Sequence, residues 1–204
     1  MDNILFTSTE ANENNRPQLI VTNKISLASP IQSLSFEFVC LNGNGEASYM
    51  TDWKNSSYAQ SISFTGCAIQ NIKRTLVRIS DGSGVFMTDI TIDNCVISEV
   101  GTDGYGMINF GKNIDQLEKV SITNSTLINI GDQLMDVKGG IGDVILENCT
   151  FYNSMDAKKE LPKVFRFDNA ASTPPSPKSA TMRNLIFSGP NKGKTVSYTH
   201  LRAH

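Results

Sequence analysis

Two sets of side chains have the types and spacing to do chemistry. The first is four cysteines, Cys40, Cys67, Cys95 and Cys149. The second is a scatter of charged residues, Arg78, Asp136, Lys138, Arg166 and Asp168. Thiols serve as disulfides or metal ligands, but no Cys-x-x-Cys pair or Cys/His cluster is present to hold zinc. Opposite charges brought to one face either bind a polar ligand or pair with each other. Which applies depends on the elements that position them.

The recurring stretch is apolar, x, apolar, x, Asn, Cys, x, apolar. It reads Ile-Thr-Ile-Asp-Asn-Cys-Val-Ile at 90–97 and Val-Ile-Leu-Glu-Asn-Cys-Thr-Phe at 144–151, with variants at 62–69, 120–127 and 180–187. From Cys67 to Cys95, Ser125, Cys149 and Leu185 the steps are 28, 30, 24 and 36 residues, which is solenoid spacing. Each copy is too short to bury its apolar face alone, so copies must stack. Parallel stacking puts equivalent residues about 4.8 Å apart. Asn94, Asn124, Asn148 and Asn184 then form an amide ladder, read as buried, at a left-handed corner that Gly66 also suits. On that reading the Asn-x-Ser/Thr pattern at Asn124 is set aside as a glycosylation site. The cysteines read as small buried thiols filling a column, in preference to a metal site or to a bridge between Cys67 and Cys95, which lie on adjacent rungs and could touch. Cys95 and Cys149, two rungs apart, lie about 9–10 Å from each other, too far to pair. Leu34 to Leu41 reads as an earlier rung with Phe38 in the Asn column, whereas 42–60 reads as a loop.

Parity shifts at the Asn corner, and a further matched set follows each copy: 76–79, 107–110, 134–137 and 164–167. The expectation is three strands per rung in a parallel β-helix of about six rungs. In the third strands Val77, Ile79, Ile108, Phe110, Met135, Val137, Phe165 and Phe167 point inward. The outward columns are then Arg78/Asn109/Asp136/Arg166 and Ser80/Gly111/Lys138/Asp168. This strip either faces a ligand or pairs Asp136 with Arg166 and Lys138 with Asp168, each pair contributing about 0.2–1 kcal/mol. The longer connections, 99–106 and 154–163, border it and bring Tyr105 to its edge as a surface on which a sugar ring can stack. Gly-Gly-Ile-Gly at 139–142 reads as a turn.

These rungs resemble the right-handed parallel β-helix of the pectate-lyase-like superfamily over about residues 31–191. More narrowly, Leu-Glu-Asn-Cys-Thr-Phe-Tyr-Asn at 146–153 is similar to rungs of uncharacterised bacterial β-helix domains found in extracellular polysaccharide-degrading systems. The resemblance implies an all-β fold, an extracellular or cell-surface location and a polysaccharide partner, an acidic glycan among the choices. In lyases of that superfamily the strip would carry acidic residues that hold calcium and an Arg or Lys that takes the proton next to the uronate carboxylate. Arg78, Asp136, Lys138, Arg166 and Asp168 are the catalytic candidates on that basis, with Asn109 and Tyr105 as substrate-binding residues. Two isolated aspartates fall short of the six to eight oxygens calcium takes, so no metal site is assigned and no cofactor is expected unless the protein is a lyase.

The organisation expected is lead-in strands over 1–30, the β-helix over 31–195, and a tail at 196–204 that resembles translated sequencing-adapter read-through. The natural chain is then expected to be cut near Lys194. Both histidines, His200 and His204, sit in that tail and carry no catalytic argument. With 204 residues, 19% of them charged, and a net charge of −2, the chain has no basic footprint for nucleic acid. No apolar run is long enough to be a membrane-spanning helix. Two functions compete: a polysaccharide-binding or polysaccharide-processing module, and a non-catalytic structural or adhesion module of a larger cell-surface protein.

Overall fold

The computed structural model describes residues 2–9, 15–111, 114–155, 163–168 and 177–189. Within them the chain is all-β and winds as a parallel β-helix. A partial turn comprises β1 (Asn3–Thr7) and β2 (Gln18–Ile20), with Ile25 bridging to Thr51. The first complete turn is β3 (Ile31–Glu37), β4 (Cys40–Asn42) and β5 (Tyr49–Lys54). The second is β6 (Ala59–Thr65), β7 (Ala68–Ile72) and β8 (Thr75–Asp81), and the third β9 (Phe86–Asp93), β10 (Val96–Val100) and β11 (Gly106–Phe110). Next come β12 (Ile114–Thr123), β13 (Thr126–Ile128) and the long β14 (Gln133–Glu147). The far half of β14 opens the fifth turn, with β15 (Thr150–Tyr152) and β16 (Lys163–Asp168), before β17 (Ser179–Arg183) and β18 (Ile186–Ser188). Every named pairing is parallel, so corresponding strands make three sheets that run along the coil. About five complete turns result, with the lead-in strands joining the same sheets.

The registers reproduce the columns of the repeat. Ile62 faces Ile90, Val120 faces Ile90 and Val144, and Phe64 faces Phe36 and Ile92. Side chains alternate between core and solvent along each strand, and the inward set is fully enclosed: Phe36, Phe64, Ile92, Ile97, Ile108 and Phe110 have no exposed surface. Like stacks on like. The rings of Phe6, Phe36 and Phe64 stack with centroids 5.1 and 5.3 Å apart and planes nearly parallel.

Corners are made by left-handed residues. Phe38, Gly66, Asn94, Asn124, Asn148 and Asn184 all have φ between 50° and 60°. A Cβ on Gly66 would meet Cε1 of the Phe38 ring at 2.5 Å, so glycine there answers both the backbone and its bulky neighbour. The ladder forms as amide to amide, Asn184 to Asn148 at 2.9 Å and Asn148 to Asn124 at 3.0 Å, ending on the Asp93 carboxylate at 2.8 Å. Contrary to expectation it is not buried. Asn94, Asn124 and Asn148 are exposed, because a corner points its side chain outward where the chain bends around the core. Removing both bonds and placing alanine in a left-handed conformation, Asn148→Ala is expected to lose about 1–3 kcal/mol. Asn148→Gly, which relieves the backbone, should lose less in the same urea titration; equal losses would contradict a backbone contribution.

A second corner follows five residues later, at Asn71, Glu99, Asn129 and Asn153, again with φ near +50° to +60°. It has its own ladder, Asn153 donating to Asn129 at 2.7 Å and Asn129 to Glu99.

Two segments differ from the sequence reading. Within 42–60, read as a loop, Tyr49–Lys54 is a strand, and Trp53 is wholly buried in register with Ile79. Its inward Thr51 stays satisfied by donating to the Leu76 carbonyl at 3.2 Å. The glycines at 139–142 are strand, not turn. The 24-residue step from Ser125 to Cys149 leaves no room for a connection, so β14 passes straight from the third sheet into the first.

Cys67, Cys95 and Cys149 fill one buried column with Ser125, and all four cysteines are free thiols. Each buried thiol donates to a carbonyl of the preceding turn, Cys67 to Phe36 at 3.3 Å, Cys95 to Phe64 at 3.4 Å and Cys149 to Ile122 at 3.5 Å. Hydrogen bonding to the Cys67 sulfur, followed by burial, pushes the Cys95 thiol up, and burial raises Cys149. They are packing groups. Cys40 departs from the column: Val39 takes that buried place, and Cys40 lies half-buried beside Ala68.

Candidate functional site

The outer face of the third sheet gathers the chemistry. Strand alternation sends Val77, Ile79, Ile108, Met135 and Val137 into the core and leaves the residues between them outside. Register then lines up one file: Asp52 beside Arg78, Arg78 beside Asn109, Asn109 beside Asp136, and Asp136 beside Arg166. At about 4.8 Å per strand the file extends roughly 19 Å along the coil. Lys138 is in register with Asp168 in the adjoining file.

The file is cross-linked. Lys24 meets the Asp52 carboxylate at 3.0 Å, and Arg78 approaches the same oxygen at 3.6 Å. Its other oxygen, Oδ1, is excluded from solvent with no hydrogen bond among the described residues. Asn109 donates its amide to Asp136 at 3.1 Å. The ammonium of Lys138 reaches back to the Gly111 carbonyl at 3.4 Å, and the Ser80 hydroxyl is tied to the Trp53 carbonyl at 3.2 Å.

Beside this file stands an aromatic and cationic cluster. The guanidinium of Arg78 lies 4.4 Å from the centroid of the Tyr49 ring. Arg74, on the connection between β7 and β8, donates from Nη1 to the Tyr49 hydroxyl at 3.0 Å and lies 4.7 Å from the Tyr105 ring centroid. Its Nε is 3.8 Å from the Asp103 carboxylate. The Tyr49 hydrogen bond, with the nearby Tyr105 and Asp103, holds the Arg74 guanidinium pKa above its ordinary value.

Arg78, Asn109, Asp136 and Tyr105 are thus brought to one face, Tyr105 through the longer connection at 99–106. Arg166 and Asp168 are placed there by backbone register, their side chains being outside the described residues. So are Asp156, Lys158, Lys159 and Glu160 of the other long connection, and the 196–204 tail with His200 and His204. Sequence reasoning missed Tyr49, Asp52, Arg74 and Lys24. Aligning Met50-Thr-Asp-Trp53 with Leu76-Val-Arg-Ile79 would have revealed the first two. Among the described residues no three His, Cys, Asp or Glu side chains gather closely enough to hold a metal ion. What the face offers is hydrogen bonding to hydroxyls, two tyrosine rings and fixed positive charge.

Among the described residues no helix is long and apolar enough to cross a membrane. No curated protein and no solved structure matches the chain. Residues 6–130 match the domain of unknown function DUF4957, a span that takes in Tyr49, Asp52, Arg74, Arg78, Tyr105 and Asn109 and stops short of Asp136. That span covers more than half of the chain, which belongs to the DUF4957 family.

Proposed function

We propose that the protein is a polysaccharide-binding β-helix module that holds a glycan along the outer face of its third sheet. The observation that carries this is the file from Asp52 through Arg78 and Asn109 to Asp136, flanked by Tyr49 and Tyr105. A straight array of donors and acceptors at sheet spacing suits an extended chain of hydroxyl-bearing rings, and tyrosine supplies an apolar face with a polar tip. Such a ligand is met outside the cell, the location this reading implies.

Affinity electrophoresis through gels containing single polysaccharides tests it. The full chain should be retarded by at least one, and Arg78→Ala combined with Asn109→Ala should weaken that retardation about tenfold, a loss on the order of 1.4 kcal/mol. A second reading is a structural or adhesion module, favoured by the Lys24–Asp52 and Asn109–Asp136 contacts, which tie neighbouring turns. It expects no retardation by any polysaccharide and a lowered thermal midpoint in the same double variant. A processing version, a calcium-dependent lyase, expects unsaturated uronate absorbance that needs calcium and that Arg166→Ala abolishes.

A further inference from the structure

We propose that Arg74, Tyr49 and Tyr105 form a subsite that selects an anionic sugar unit, carboxylated or sulfated, with Asp103 occupying the anion position until the ligand arrives. This rests on the polysaccharide-binding reading and names the ligand class of one end of that face.

The whole chain carries a net charge of −2. At this end the ion pairs among the described residues are Lys24 and Arg78 with Asp52, and Arg74 with Asp103. Asp52 is claimed by two of those cations, Lys24 and Arg78. Arg74 is left with Asp103 as its ion partner among the described residues. That contact is loose: 3.8 Å exceeds hydrogen-bonding distance, the Asp103 side chain is 59% exposed, and the Arg74 Nε–H makes no hydrogen bond among the described residues. A guanidinium has five donors in a planar fork that matches two oxygens of one anion. Among the described residues Nη1 is the guanidinium nitrogen committed to a hydrogen bond, to the Tyr49 hydroxyl.

The rings orient the fork. Tyr49 holds one end of the guanidinium, and Tyr105 lies over it at 4.7 Å while remaining 38% exposed, so a sugar ring has an aromatic surface beside the charge. The connection bearing Tyr105 is itself pinned: Gly101 donates to the Ile72 carbonyl at 3.0 Å, and Asp103 to the Lys73 carbonyl at 2.9 Å. The subsite is therefore built before the ligand arrives, and only the Asp103 carboxylate must swing aside.

The test titrates the full chain, Arg74→Gln and Asp103→Asn with a polyuronate, a sulfated polysaccharide and a neutral polysaccharide at low and high salt. Thermal midpoints are measured alongside. The wild-type protein should prefer an anionic polymer, with affinity falling as salt rises; which polymer it prefers identifies the anion. Arg74→Gln should lose about tenfold toward the anionic polymer, while any neutral-polymer affinity is unchanged, and Asp103→Asn should gain severalfold. The gain is a result that unfolding cannot imitate. Wild-type affinities for both anionic polymers in both variants would overturn the subsite and leave the wider face standing. Failure of the wild-type protein to bind any of the three polymers would overturn the underlying reading and the subsite with it.

Discussion

Trp53→Ala is expected to cost about 3–5 kcal/mol of folding free energy, the range for emptying a large aromatic site in a packed core. Trp53 has no exposed surface and lies in β5 opposite Ile79, where the neighbouring turns cannot collapse without breaking register. Against a total stability of roughly 5–15 kcal/mol, that loss would unfold an appreciable fraction of the protein. The indole Nε1–H is buried without a hydrogen-bond partner among the described residues. Trp53→Phe should therefore cost markedly less, since it keeps most of the ring and removes an unsatisfied donor. Urea titration followed by far-ultraviolet circular dichroism reads both. If alanine lost under about 1 kcal/mol, or no more than phenylalanine did, Trp53 would not be the keystone of this turn. Because β5 also carries Tyr49 and Asp52, glycan binding should fall with stability in the alanine variant.

Gly131→Ala should have the next largest effect, through the backbone. An added Cβ would come within 2.0 Å of the Gly101 carbonyl oxygen and 2.8 Å of that of Tyr105. Neither is the end of a flexible side chain, so the two connections must separate. Overpacking of that kind costs about 1–3 kcal/mol, and here the segment displaced is the one that holds Tyr105 over Arg74. The contrast is Gly45, where φ is +65° but nothing lies within 4 Å of a new Cβ. Gly45→Ala should pay only the left-handed backbone cost of about 1–2 kcal/mol and leave binding at the Arg74 subsite intact. Comparable binding by the two variants would show that the Gly101–Gly131 contact does not position the Tyr105 connection.

The corner at Asn94, Asn124 and Asn148 was legible because two properties recur together there: an amide that can bond to its own kind at strand spacing, and tolerance of a left-handed backbone. Phe38 was placed in that column from spacing alone, and its φ of +55° agrees. The second corner has the same physics but a less uniform composition. Glu99 interrupts Asn71, Asn129 and Asn153, and the apolar residues around it were already explained by the strands. Strand β5 escaped for a related reason. Its inward positions are Thr51 and Trp53 in place of the aliphatic residues of later turns, and the many small polar residues before it imitate a long turn.

Strand alternation, left-handed corners and a repeat of 24 to 36 residues are local properties of the chain, and stacking is the one way such short strands bury their apolar faces. The sequence by itself therefore determined the parallel β-helix, its columns and the outward placement of Arg78, Asn109 and Asp136. Only the tertiary structure decided what stands beside them. Arg74 reaches Tyr49 across 25 positions and Tyr105 from the neighbouring connection, and connection lengths vary from turn to turn. Contacts between connections thus follow no period that a sequence can display. The fold is written in what repeats, and the candidate site in the segments that do not.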